Sequence, residues 1–268
     1  SLATIKIFSL VSVCVLGITI FQTSIASLYS TLDRYRPVCI YWKRKHSQQK
    51  SSMSLIFYYV PMSTSSITEA VLAELGIPCD RVQLSITDGD TKQPDFLKIN
   101  PNGRVPAIVH DGTTIWESAA ITMYLGEVFG VAAQLYPPSG TQRGEAMKWI
   151  VWGNVTLAEA GGRLSALLPS DSDGGVLPNS QDWIPPEQRS TIALAKAKAD
   201  LVGCLGILDN ALGGKLFLLG DYSLVDTHLQ GFVGWIGSMD INLQAFPTVM
   251  GWLKRCYQRP AIAKLMQE

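Results

Sequence analysis

The sequence predicts a small mixed α/β domain of order β-α-β-α-β-β-α followed by an all-helical domain, with a separate leader ahead of both. Three observations carry this. Short β-rich runs alternate with helical stretches across residues 53–136. After Pro137-Pro138-Ser139-Gly140 the apolar pattern is helical, giving a second domain at 142–268. Charge also divides the chain: residues 1–52 hold seven Lys/Arg against Asp33, a net +6, so residues 53–268 hold −6 although the whole is neutral.

Each element has a local cause. Leu55-Ile56-Phe57-Tyr58-Tyr59-Val60 is β-rich and stops at Pro61. Ile67, Ala70, Val71 and Leu75 share one helical face, and Gly76 ends that helix. A second strand is expected over Cys79–Ile86 and a short helix over Gln93–Ile99, ahead of the turn-forming Asn100-Pro101-Asn102-Gly103. Ala107–His110 and Thr113–Trp116 form a hairpin about Asp111-Gly112. A helix capped by Ser118 is expected to reach Val128. Further on, helices are expected over 143–168, 186–212, 247–258 and 260–266, with a polar loop at 169–186. Ser223-Leu224-Val225-Asp226 is a capping box that opens a buried helix through Phe232 and Trp235.

Composition excludes several classes. With 47% apolar and 16% charged residues, the chain can bury a core and is not disordered. Zero net charge speaks against nucleic acid as the main partner. Five scattered cysteines without a CxxC, and three isolated histidines, make neither a disulfide framework nor a metal site.

No charged residue occurs from Ile7 to Leu32. At about 1.5 Å per residue that run exceeds the roughly 30 Å hydrocarbon core. Residues 7–29 are therefore a candidate transmembrane anchor. The basic flank Arg34, Arg36, Lys43, Arg44, Lys45 and Lys50 would keep it, and the domains that follow, on the cytoplasmic side. Two other readings stand beside it. Ser24-Ile25-Ala26 could be a signal-peptidase site, or residues 1–52 could be an extension ahead of Met53.

The chain from 53 to 268 resembles the cytosolic glutathione transferases. The resemblance is carried by Asn100-Pro101-Asn102-Gly103-Arg104-Val105-Pro106-Ala107-Ile108, by Glu117-Ser118-Ala119-Ala120-Ile121, by the Pro61 loop and by the Ser223/Asp226 box. It implies a thioredoxin-like first domain that binds glutathione, an all-helical second domain, a homodimer and a role in detoxification. It also implies that Val105-Pro106 is a cis-proline turn whose Val105 backbone pairs with the cysteinyl part of glutathione. Glu117 would then meet the α-ammonium, and Ser118, with the helix N-terminus, the γ-glutamyl carboxylate. Lys92 falls where some classes hold the glycine carboxylate, and Arg104 where they often carry Gln.

Family members activate the thiol with a Tyr, Ser or Cys near the end of the first strand. Here that loop is Pro61-Met62-Ser63-Thr64-Ser65-Ser66, without a cysteine, which argues against thiol-transferase members. Counted back from Gly76, Thr64 aligns with the cysteine of the bacterial class, and Ser63 lies nearer the serine of plant-like classes. A hydroxyl donating to the sulfur is worth about 1.5–3 kcal/mol, or about 1–2 pK units, enough to make thiolate the main form near neutral pH. Tyr58 and Tyr59 read as strand residues, and Cys79 as a buried small residue.

The reading is a glutathione transferase joining the thiolate to a small, apolar electrophile held near Met147, Trp149 and Trp152. Its rivals are a glutathione-dependent lyase or isomerase on the same site, and a non-catalytic interaction module of the same fold. Since every matched motif lies beyond residue 52, protein beginning at Met53 should fold and bind glutathione. Loss of binding on removing residues 1–52, measured by calorimetry, would refute this.

Overall fold

Strand β1 (Leu55–Tyr59) lies inside a four-stranded sheet of order β2-β1-β3-β4. The computed structural model describes residues 54–168, 190–239 and 241–267, and Met53–Glu268 forms one compact unit. β2 (Asp80–Gln83) runs parallel to β1, while β3 (Ala107–His110) is antiparallel both to β1 and to β4 (Thr113–Trp116). β2 is shorter than expected because it is an exposed edge strand, and beyond it the Ser85 amide turns to the Asp90 carboxylate at 2.8 Å. The β3–β4 hairpin is as expected, with Asp111 (φ 48°) and Gly112 (φ 81°) both left-handed at the turn.

Helix α1 (Ser65–Leu75) ends at Gly76 as predicted, with left-handed φ 63° and its amide on Ala73 O. Helix α2 (Pro94–Ile99) is the short helix expected after β2. Helix α3 (Ser118–Leu125) stops sooner than expected and continues as a widened π turn, Gly126–Gly130. One face of the sheet packs Phe57 and Ile108 against Val71 of α1 and Ile121 of α3, all fully buried. Each such side chain contributes about 1.5–3 kcal/mol.

The expected long helix over 143–168 is α4 (Thr141–Trp152), a π turn (Gly153–Leu157) and α5 (Ala158–Leu167). The polar loop that follows lies outside the described residues. α6 (Thr191–Ala211) is capped by Ser190, whose hydroxyl accepts from the Ile192 amide. α7 (Leu224–Gly237) starts at the predicted capping box and is buried over most of its length. α8 (Pro247–Tyr257) and α9 (Pro260–Leu265) each begin on the predicted proline. Among the described residues no helix is long and apolar enough to cross a membrane; the candidate anchor at 7–29 lies outside them.

A half-buried ion pair ties the sheet's helices to the bundle. Glu74, near the end of α1, has a side chain only 2% exposed and receives Arg259 Nη2 at 2.7 Å and Nε at 3.1 Å. Tyr222 donates to the same carboxylate at 3.2 Å, and the Arg259 guanidinium lies 4.1 Å from its ring centre. Arg259 can hydrate when unpaired, so Glu74→Gln should cost about 1.5–3 kcal/mol rather than more. A urea midpoint unchanged by this substitution would show the pair adds nothing.

Candidate functional site

Sheet register brings the predicted residues to one end of the sheet. Tyr58 on β1 pairs with Ala107 on β3, and Ala107 pairs with Trp116 on β4. Each strand therefore hands the chain over at the same edge: β1 to the Pro61 loop, β4 to Glu117, and Val105-Pro106 into β3. A functional reading of the three segments as one site rests on this register.

The loop before α1 is held by its own hydroxyls. Ser63 Oγ donates to Val60 O at 2.7 Å and accepts the Ser65 amide at 3.1 Å. Ser65, 1% exposed, accepts the Val60 amide. Ser66 donates to Ser63 O at 2.9 Å. Thr64 is exposed and points differently, donating to Val105 O at 3.2 Å across to the proline turn. Of these hydroxyls it is the one that bridges the two segments. Met62 beside it is 89% exposed and left-handed at φ 56°, an uncommon conformation for a side chain of its size. Tyr59 donates to Gln83 at 3.2 Å and stacks on Phe57, while Tyr58 packs on Phe96, so both serve the strand.

The Val105–Pro106 peptide is cis. Asn100 builds the turn before it: 3% exposed, it donates to Arg104 O at 2.7 Å and accepts from the Asn102 amide at 3.1 Å. Lys92 Nζ donates to Gly103 O at 3.0 Å and Asn102 O at 3.4 Å, so it lies against this turn with its head accessible. Gly103 is left-handed at φ 58°, and a Cβ there would come within 2.8 Å of that ammonium. The Arg104 side chain is exposed.

Glu117 precedes α3 with φ 71° and ψ 119°, a conformation L-residues rarely adopt and one that concentrates at functional sites. It is exposed, and its carbonyl accepts the Ile121 amide at 2.9 Å. Ser118 differs from expectation. It is the first helical residue rather than the cap, and no side chain caps α3. The reason is that its hydroxyl is engaged elsewhere: it accepts from Asn154 Nδ2 at 2.9 Å, from the π turn after α4.

The electrophile-side residues divide. Met147 is 41% exposed, whereas Trp149 is 7% exposed, packs edge-on against Trp152 and donates to Glu145. Trp149 is thus core-facing, and Trp152 is half-buried beside it.

Comparison with known proteins decides the family. Residues 53–127 match the sequence model of the glutathione S-transferase N-terminal domain, and residues 181–260 that of the C-terminal domain. The chain belongs to the glutathione S-transferase family. It is 28% identical over 199 residues to glutathione S-transferase GstB of Escherichia coli K12, covering 73% of this chain and 88% of that protein. Among solved structures it is similar to a glutathione transferase from Methylococcus capsulatus, at 26% identity and TM-score 0.65 over 80% of this chain and 97% of that one. It also shares its fold with the transferase URE2P6 from Phanerochaete chrysosporium, crystallised with oxidised glutathione, at 22% identity and TM-score 0.69 over 80% and 96%.

Asn154 and His228 were not singled out from the sequence, and Asn100 was named only within its motif. Asn154 had only the weak one of a poor helix former inside a helix, and His228 had none. His228 is fully buried, with Nε2 2.7 Å from Asn154 Oδ1 and Nδ1 2.9 Å from Thr122 Oγ1. Burial pulls its pKa down to about 3, from an unfolded value near 6.5. Between those values the unfolded chain binds a proton that the native state does not, so stability falls as pH drops below about 6.5. The loss is about 1.4 kcal/mol per pH unit, or about 2 kcal/mol between pH 7 and pH 5. His228→Gln should lose that part of the acid limb in urea titrations; equal declines in both proteins would show that His228 titrates normally.

Proposed function

We propose that the protein is a glutathione transferase, with glutathione on the domain at 53–136 and an electrophile between it and the helical domain at 142–268. The observation that supports this best is the meeting of the cis Val105–Pro106 turn, the Thr64 hydroxyl and the strained Glu117-Ser118 start of α3 at one sheet end. In this reading the Val105 backbone pairs with the cysteinyl group as an added strand. Glu117 accepts from the α-ammonium, and Ser118 and the α3 N-terminus receive the γ-glutamyl carboxylate. Lys92 meets the glycine carboxylate, with Arg104 at its flank. The relatives crystallised with glutathione support the same ligand.

Thr64 is the first choice for the thiol. It can exchange the Val105 carbonyl for the sulfur with little movement, because it already reaches the cysteinyl-binding backbone. Ser63 is second, since its proton is held by Val60 O at 2.7 Å. The thiolate attacks the electrophilic carbon, a sulfur–carbon bond forms, and the leaving group departs with the displaced electron pair. Met147, exposed on α4, and Trp152 are the side chains offered to an apolar electrophile; Trp149 supports them from the core. A homodimer belongs to this reading, and the exposed Val151 on α4 and Val155 on the π turn after it offer it apolar surface.

A second reading, a glutathione-binding module without catalysis, is favoured by one fact: the Ser63 and Thr64 protons are both held by backbone carbonyls. Thiolate absorbance of the glutathione complex against pH separates the two. Thr64→Val should raise the bound thiol's pKa by about one unit, equivalent to about 1.4 kcal/mol, and slow conjugation severalfold. A rise in Tyr59→Phe alone would make tyrosine the donor. No change in Thr64→Val, Ser63→Ala or Tyr59→Phe, with no conjugation across a broad electrophile panel, would establish the module.

A further inference from the structure

Four side chains form a continuous hydrogen-bonded chain from the middle of α3, through the bundle, back to its first residue. Thr122 Oγ1 lies 2.9 Å from His228 Nδ1, His228 Nε2 lies 2.7 Å from Asn154 Oδ1, and Asn154 Nδ2 lies 2.9 Å from Ser118 Oγ. Thr122 and His228 are 0% exposed and Ser118 is 4% exposed, with Asn154 half-buried between them, so the buried members depend on these partners. Phe232 packs edge-on against the imidazole at 5.5 Å.

The direction of every bond follows from the orientation of the Asn154 amide. An amide oxygen only accepts, so His228 Nε2 must carry a proton toward Asn154. A neutral imidazole holds one proton, so Nδ1 accepts from the Thr122 hydroxyl. The Asn154 amide nitrogen only donates, so the Ser118 oxygen accepts. No other side chain or backbone group among the described residues bonds that hydroxyl, so its proton is left for a group outside the chain. A hydroxyl that accepts from within and donates outward suits a carboxylate and does not suit a cation.

Local backbone structure makes the contact. The π turn Gly153–Leu157 inserts an extra residue into the helix and re-aims Asn154. Gly153 lets this turn press on α7, since a Cβ there would lie 2.6 Å from Leu229 Cδ2 and 3.6 Å from His228 Cδ2.

We infer that Asn154 and His228 are positioning residues that orient Ser118 as an obligate donor to the ligand's carboxylate, coupling that subsite to the buried core of the helical domain. This rests on the proposed glutathione reading for the identity of the carboxylate, and on the bond network alone for the polarity of Ser118.

Two measurements test it. The ring 15N shifts of His228, assigned by through-bond correlations from its own backbone and read on the unliganded protein, should report the Nε2–H tautomer. The Nδ1–H tautomer would reverse every bond in the chain, turn the Ser118 proton inward and overturn the inference. This reading uses the unaltered chain, so it holds even where a variant fails to fold. The second is a double-mutant cycle on glutathione affinity by calorimetry. Ser118→Ala and Asn154→Ala should each weaken binding about tenfold, as for loss of one hydrogen bond to a charged group, and the double variant should lose no more than either. Additive losses near a hundredfold, or no effect of Asn154→Ala, would overturn the coupling. Wild-type protein that fails to bind glutathione would refute the proposed function, while the tautomer would still decide the polarity.

Discussion

The anchoring of α7 is the constraint on which the rest depends, and Asp226 supplies it. This carboxylate is 0% exposed and accepts four hydrogen bonds: Leu218 N at 3.0 Å and Trp252 Nε1 at 2.9 Å on one oxygen, Ser223 N at 3.0 Å and Ser223 Oγ at 3.1 Å on the other. Burial pushes its pKa up even against those donors. A buried carboxylate is tolerable only when its acceptor sites are filled. The segment around Leu218 before α7, the start of α7 and the core of α8 therefore have to converge on it. With α7 so fixed, its buried length becomes the wall against which α1 packs, and His228 on it faces α3 and the π turn after α4.

That arrangement explains how one end of a small sheet becomes a site. Strand register alone places Val105, the Thr64 loop and Glu117 together. The loop hydroxyls then satisfy the loop's own backbone, which lets a polar segment stay open without leaving buried groups unpaired. Glu117 is held at a positive φ by the strand on one side and the helix on the other, so its side chain stays exposed while Ser118 turns inward to Asn154. In the proposed reading the two neighbours do opposite electrostatic work, Glu117 accepting from the ammonium and Ser118 donating to the carboxylate of a γ-glutamyl group.

The helical domain does more than cover the site. Glu74 and Arg259 join the far end of α1 to α9, while the Ser118–Asn154–His228 chain joins the near end of α3 to α4 and α7. The sheet and the bundle are thereby locked at two points by polar contacts that hydrophobic packing alone would leave free to slide. Such networks specify a single arrangement because a slip of about an ångström leaves a buried group unpaired.

Much of this was legible in the sequence, because it rests on local rules. The hairpin at Asp111-Gly112, the stop at Gly76, the capping box at Ser223 and the proline starts of α8 and α9 depend on backbone chemistry within a few residues, and all stand where the residues put them. The Val105-Pro106 and Glu117-Ser118 motifs were likewise readable, since the family resemblance is carried by contiguous residues. What only the tertiary structure decided is which partner each hydroxyl meets. Ser118 looked like a helix cap and is instead an acceptor for a residue 36 positions away. Thr64, already favoured over Ser63 by its register from Gly76, bonds a carbonyl 41 positions away. Asn154 carried only the weak signal of a poor helix former within a helix, and His228 carried none. Their partners are fixed by how α4 and α7 pack, and a hydrogen bond between residues far apart in the chain has no period, spacing or propensity by which a sequence could announce it.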